Sequence, residues 1–309
     1  MLNFILKKIM LQTFDERNKD IKVFIGGKLY PRAEAKVSVF DSSVQGGDAV
    51  WEGLRIYDGR IFSFDEHVRR LQESAKTLMF TDIPERQYIR NAIVETLKVN
   101  GMVTDSHIRM TLTRGEKITS GMDPRLNQSG SCLIILAEWK KPVYDNNSGI
   151  RLVTSQIRRN SPLNLDSKIH HNNLLNNILA KIEANNSNAD DALMLDNHGF
   201  VAETNATNIF MVKNEILFTP FADACLPGIT RQHVINISDE LKISFKEKNL
   251  SVSEFYNADE VFTTSTMGEL TPVTDIDGRK IENKNNSEIL KTIQYKFREK
   301  TNSEGEKIL

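Results

Sequence analysis

The stretch DSKIHHNNLLNNILAK, residues 166–181, followed by FVAETNATNIF, residues 200–210, decides the fold. Lys168 stands where a strand ending near Arg159 hands over to a helix. Glu203 ends the short strand FVAE after a tight turn at residues 197–199. An amine in the first place can condense with an aldehyde, and a buried carboxylate in the second can keep a ring nitrogen protonated. Neither residue carries this reading alone. With 40 Lys plus Arg and 41 Asp plus Glu in the chain, a single lysine or glutamate is usually a solvated surface charge. The rival Lys181 falls on the flank of an apolar stripe (Leu174, Leu175, Ile178, Leu179, Ile182), where a long side chain normally reaches solvent.

The segments around this stretch give it meaning. LPGITR (226–231) and TTSTMGELTP (263–272) follow in order, and WEGLRIYDGRIFSFDEHVRRL (51–71) lies far upstream. Together these segments resemble the fold-type IV pyridoxal phosphate enzymes, the class IV aminotransferases, and most closely their branched-chain aminotransferase branch. The resemblance runs from about Val23 to Val273. It implies an α+β fold of the D-amino acid aminotransferase type, with pyridoxal 5'-phosphate between two domains. It also implies transfer of an amino group between an amino acid and a 2-oxo acid such as 2-oxoglutarate. The pathway it points to is branched-chain amino acid biosynthesis.

The same resemblance assigns roles. Lys168 is the lysine that holds the cofactor and then moves the substrate proton as general acid and base. Glu203 faces the ring nitrogen. The phosphate falls to Arg70, to the amides of Ile229 and Thr230 at a helix start after Gly228, and to the Thr266 hydroxyl. The turn at Thr266 and Met267 offers amides to the substrate's α-carboxylate. Asn173 is the candidate for the position of the family's cofactor-contacting tyrosine, because the stretch after Lys168 is one residue longer than usual. Arg109 matches the arginine that receives the side-chain carboxylate of glutamate, and Trp51 and Arg55 line the same cavity. His107 replaces a pocket tyrosine, and Gly46 stands where another is usual, so the pocket departs from the branched-chain pattern. The rivals on this fold are 4-amino-4-deoxychorismate lyase and a D-amino acid transaminase. A catalytically silent metabolite binder is the rival outside catalysis.

The rest of the sequence bounds this picture. At 309 residues the chain is long enough for two domains: a smaller N-terminal α/β domain (1–140), a linker (141–149) rich in Pro, Asn and Ser, and a larger C-terminal domain of mixed strands and helices (150–309). A net charge of −1 with both signs interspersed favours neither nucleic acid nor an acidic membrane surface as partner. Small-molecule substrates and a homodimer follow from the resemblance. Cys132 and Cys225 read as reduced thiols, and the lysine-interrupted opening MLNFILKKIML as a cytosolic extension, so a cytoplasmic protein is expected. The six histidines have no ligand spacing, so no metal is expected.

Local signals predict the elements. Gly26–Gly27 and Asp58–Gly59 mark tight hairpins. Ser63 and Glu66 form a capping box for a helix whose buried stripe is Val68, Leu71, Ala75, Leu78 and Met79. A second helix spans 84–100 and stops at Gly101. Strands are expected at IRMTLTR, CLIILAEW, IRLVTSQI, DALMLD, FVAE, NIFMV, EILFTP and VFTTST, with helices at 172–185, 229–247 and 286–299.

Overall fold

The structure is a computed structural model that describes residues 12–283 and 286–308, so the N-terminal segment 1–11 lies outside the described residues. The described chain forms two compact units. One holds residues 14–141, 169–174 and 301–308, and the other holds 142–168 and 175–300.

The first unit begins with β1 (Lys22–Ile25) and β2 (Lys28–Pro31), joined through Gly26 and Gly27 at φ 54° and 91°. A short helix α1 (Ser42–Gly46) leads to β3 (Ala49–Tyr57) and β4 (Arg60–Ile61). Asp58 and Gly59, both at positive φ, make the turn between them as the sequence predicts. After α2 (Phe64–Thr77) and α3 (Arg86–Asn100) come β5 (Ser106–Thr113) and β6 (Cys132–Trp139). The sheet order is β16-β4-β3-β5-β6-β1-β2, where β16 (Glu306–Lys307) is numbered by its place in the chain. One face of this sheet is apolar. Val50, Leu54 and Ile56 of β3 and Ile108, Met110 and Leu112 of β5 join Val68, Leu71, Ala75, Ile89, Ile93 and Leu97 of the helices in one core.

Two details of α2 differ from expectation. Ser63 sits at φ 53° and makes no side-chain cap, so the capping box does not form. Met79 lies beyond the helix end at φ 57° and is 80% exposed, because the left-handed turn swings it off the buried stripe. Helix α3 ends at Gly101 in the left-handed conformation, as expected.

The second unit contains β7 (Ile150–Thr154), α4 (Leu175–Asn186), β8 (Asp191–Leu195), β9 (Val201–Thr204), β10 (Asn208–Lys213) and β11 (Ile216–Thr219). It continues with α5 (Ile229–Glu240), β12 (Phe245–Glu247), α6 (Val252–Tyr256), β13 (Glu260–Ser265), β14 (Glu269–Ile276), β15 (Arg279–Lys280) and α7 (Ile289–Ser303). Its sheet runs β12-β11-β10-β13-β14-β7-β8-β9, with β15 added to β14. It is mixed, since β7 is parallel to β8 and β14 while β10, β13 and β14 are antiparallel.

Three sequence readings change here. The helix expected over 229–247 stops at Glu240, and Lys242 at φ 56° turns the chain into β12. The apolar residues of α4 do not form a buried stripe. Leu175, Ile178, Leu179 and Ile182 are 47–66% exposed, and the small Ala180 and Ala184 face the core instead. The stretch 142–149 is more than a connection, because Tyr144 is buried in the second unit's core and donates its phenol proton to Asp191.

Candidate active site

Within the second unit, one loop ties the sequence-predicted residues together. The loop 220–228 leaves β11 and enters α5, and it reaches Lys168 and Glu203 on the way. Lys168 Nζ donates to the Asp223 carbonyl at 3.0 Å and lies 3.3 Å from Asp166. The Leu226 amide donates to Glu203 Oε1 at 3.4 Å, and the Leu226 carbonyl accepts from Asn208 Nδ2 at 2.8 Å. Lys168 keeps 41% of its side chain exposed, so its amine is open to a reaction partner. Lys181 is committed elsewhere. Instead of reaching solvent it bonds the Asp190 carbonyl and pairs with the buried Asp191 carboxylate at 3.4 Å.

Glu203 is built to stay in place. It sits on β9 opposite Met194, is 5% exposed, and takes Arg159 Nε on Oε1 at 2.7 Å and Asn208 Nδ2 on Oε2 at 3.1 Å. Arg159 in turn donates to Asn176 Oδ1 at 3.2 Å. Burial pushes the Glu203 carboxyl above its ordinary range, while Arg159 and the Leu226 amide pull the other way. Cys225, buried beside this pair, has its thiol pushed up by burial and by the Glu203 charge. The sequence marks Arg159 only as a strand end and Cys225 only as a reduced thiol, and gives Asn208 no role. Nothing local to any of them announces a site.

Ile229 and Thr230 open α5, where first-turn amides have no acceptor within the helix. Gly228 at the N-cap is required by space: a Cβ there would stand 2.0 Å from Asn208 Oδ1. Thr266 and Met267 form the turn between β13 and β14, and the Met267 carbonyl accepts from the Val143 amide at 3.3 Å. Strand β13 packs against α5 and pairs Thr264 with Asn208, so the turn follows directly on the strand beside the helix start.

The first unit carries the other predicted residues. Arg70 on α2 grips Glu52 with two bonds, Nε to Oε1 at 2.7 Å and Nη2 to Oε2 at 2.8 Å. Glu52 is fully buried and also meets His67 Nδ1 at 2.7 Å and His170 Nδ1 at 3.0 Å. Burial works against this carboxylate, but His170 and Arg70 outweigh it and hold it well below the usual range. Burial pushes His170 itself down to about 4, against the pull of Glu52. Nothing in the WEGLR segment itself marks Glu52 for this role.

Arg109 lies 3.9 Å over the Trp51 ring, which also packs on His170 at 4.2 Å, and its guanidinium donates to Asn172 Oδ1 at 3.2 Å. Among the described residues no carboxylate pairs with Arg109. Its pKa is lowered by burial alone. Arg55 and His107 are register partners on β3 and β5, 4% and 9% exposed. Asn173 is exposed and packs against Gly47.

Comparison with known proteins gives a consistent family. The sequence profile of "Amino-transferase class IV" matches residues 49–276. The branched-chain-amino-acid aminotransferase-like protein 2 of Arabidopsis thaliana is 57% identical over 93% of this chain and 52% of its own length. The chain thus spans about half the length of that relative. A putative branched-chain-amino-acid aminotransferase of Methanocaldococcus jannaschii is 41% identical over 90% of this chain and 96% of its own. Among solved structures, a T.th. branched-chain amino acid aminotransferase complexed with N-(5'-phosphopyridoxyl)-L-glutamate superposes with a TM-score of 0.84 at 31% identity. The match covers 92% of this chain and 95% of that one.

Proposed function

This chain belongs to the class IV aminotransferases, and from that premise we propose that it is a pyridoxal phosphate-dependent transaminase moving an amino group between an amino acid and a 2-oxo acid such as 2-oxoglutarate. The α+β, fold-type IV architecture expected from the motifs is the architecture of its structural neighbours. The observation that carries the functional reading is the loop 220–228, which holds the Lys168 amine, the buried Glu203 carboxylate and the start of α5 in one place.

The donor set fits the cofactor. Two or three amides at a helix start suit a phosphate dianion, and a buried carboxylate whose Oε2 accepts from Asn208 suits a protonated ring nitrogen. When bound, pyridoxal phosphate supplies an electron-withdrawing ring that spreads negative charge from the substrate Cα. Lys168 Nζ, with its amine exposed, would serve as the base and acid that moves the substrate Cα proton. The Glu203 carboxylate, fixed by Arg159 and Asn208, would face the ring nitrogen and favour its protonated form. The Ile229 and Thr230 amides and the Thr266 hydroxyl orient the phosphate, and the Thr266–Met267 turn receives the α-carboxylate. The phosphate bond given to Arg70 is supported within its own unit by the two-point grip of Glu52, which fixes the guanidinium plane. Arg109, a cation without a carboxylate partner among the described residues, suits the side-chain carboxylate of a glutamate donor. Asn173 keeps the place of the family tyrosine in this proposal.

A homodimer and a cytoplasmic setting complete the reading. The apolar face of α4 is exposed on the single chain and suits a second copy. The free thiols Cys132 and Cys225 suit a reducing compartment, and among the described residues no helix is long and apolar enough to cross a membrane.

Borohydride reduction of the holoprotein followed by peptide mass mapping tests the assignment. A pyridoxyl group on Lys168 is expected, and one on another lysine overturns it. Assays with 2-oxoglutarate against leucine, D-alanine and aminodeoxychorismate separate the rivals. Pyruvate released without an amino acceptor would identify a lyase, and a colourless protein a silent binder.

A further inference from the structure

The glycine in the turn between β13 and β14 stands one residue away from where the backbone asks for one. Ser265 and Glu269 close the turn as register partners, so Thr266, Met267 and Gly268 form a three-residue loop. Loops of this length commonly carry a glycine in the left-handed region. Here Glu269 takes that conformation, at φ 58°, and Gly268 does not. A glutamate keeps such a backbone only where its surroundings impose it. Gly268 is needed for space instead: a Cβ there would stand 3.1 Å from Ser265 Oγ and 3.1 Å from Tyr144 Cδ2.

The surroundings that impose it come from residues 143–146 of the same unit. The Val143 amide donates to the Met267 carbonyl at 3.3 Å, and the Gly268 amide of that same peptide donates to Ser265 Oγ at 2.8 Å, so the peptide plane is tied at both ends. The Thr271 hydroxyl lies 3.1 Å from the Gly268 carbonyl and 2.7 Å from Asn146 Oδ1. Between these two ties the buried Tyr144 ring lies against Gly268. Its phenol donates to Asp191 Oδ2, and the other Asp191 oxygen faces Lys181 Nζ at 3.4 Å. Burial and the Asp191 charge push the phenol pKa up, so Tyr144 stays the donor. The ring is thus a strut, anchored to β8 at one end and pressed on the turn at the other.

We propose that Tyr144 is a positioning residue for the substrate: wedged between Asp191 and Gly268, its ring fixes the Thr266–Gly268 turn and so sets how tightly that turn receives the α-carboxylate. Hydrogen bonds weaken steeply once a donor is misaimed, so a turn without its strut loses grip on the carboxylate. Lys168 and Glu203 are held by other partners, the Asp223 carbonyl and Arg159, so the proton transfer itself is spared. The inference rests on the reading of this turn as the α-carboxylate site, and the two can fail separately.

Two measurements on the holoprotein test this. Hydrogen-exchange mass spectrometry reads the strut: in Tyr144→Leu the amides of residues 265–269 are expected to exchange at least about tenfold faster while those of β3 and β5 hold. Titration followed by cofactor absorbance reads the consequence, with L-glutamate set against 4-aminobutanoate, the same molecule without its α-carboxylate. Tyr144→Leu is expected to weaken glutamate about tenfold and leave 4-aminobutanoate within about twofold. Tyr144→Phe, which keeps the ring on Gly268, should cost glutamate no more than about threefold. Gly268→Ala, which presses a Cβ against the ring, should weaken glutamate selectively as Tyr144→Leu does. Unchanged exchange, or an equal loss of both ligands in Tyr144→Leu, would overturn the role of Tyr144. A preference for glutamate that survives in Tyr144→Leu but is lost in Gly268→Ala would leave the turn standing and overturn the strut. Equal binding of both ligands by the wild-type protein would overturn the α-carboxylate reading of the turn, and the substrate role of Tyr144 with it.

Discussion

Lys168 is 41% exposed and bonds only the Asp223 carbonyl and the part-exposed Asp166 carboxylate, so replacing it disturbs little beyond its own chemistry. Lys168→Ala is expected to fold with the wild-type circular dichroism spectrum, lose its visible cofactor absorbance, and lose turnover by at least about 10³-fold. Arg159 is the opposite case, because its partner is buried. Arg159→Met leaves the Glu203 carboxylate uncompensated and is expected to cost about 3–5 kcal/mol in urea unfolding. The cost has a pH signature. Glu203 is raised in the folded chain, so the folded state holds the extra proton and the variant loses stability as pH rises above the ordinary 4.5. The histidines carry the reverse sign. His107 at about 3 and His170 at about 4 stay neutral in the fold, whereas unfolded imidazoles protonate near 6.5. Stability should therefore fall as pH drops from 6.5 toward 4, by up to roughly 1.4 kcal/mol per pH unit for each ring. Unfolding in urea at pH 7, 6 and 5 checks this, and His107→Phe should remove about half of the slope.

At the scale of elements, the residues of the proposed site stand out where residue type and local turn coincide. Lys168, Glu203 and the LPGITR helix start could be read because each sits in a distinctive short segment, and the two hairpins because positive φ demands Gly or Asp. Arg159 and Glu52 could not, since each takes its meaning from a partner distant in the chain. Strand β14 escaped because Met267 and Gly268 signal a turn and Pro272 lacks the N–H that a strand interior uses. The chain tolerates it beside a shift of register between Val273 and Asp275. Helix α4 misled in another way: its large apolar residues read as core, and the helix turns its alanines inward. Ile178→Lys and Leu179→Glu on that face are expected to keep the fold and convert a dimer to monomers in sedimentation velocity. In α5, Gly228→Ala must displace Asn208, and is expected to weaken binding of pyridoxal phosphate more than that of pyridoxal, measured by absorbance titration.

The whole molecule is not assembled in sequence order. Residues 301–308 leave the second unit's stretch and join the first: β16 pairs with β4, Ile308 enters the core, and Glu306 binds Arg86 at 3.2 Å and Arg90 at 2.7 Å. A division into contiguous stretches cannot accommodate this, because nothing in the short SEGEKI segment marks it as a strand. During synthesis at about 5–20 residues per second, the sheet begun at β1 lacks its last edge until the ribosome has made residue 308, well after β4 has emerged. For many seconds the nascent chain therefore carries an open strand edge and an unfilled gap in the core, and both close only when this segment clears the exit tunnel.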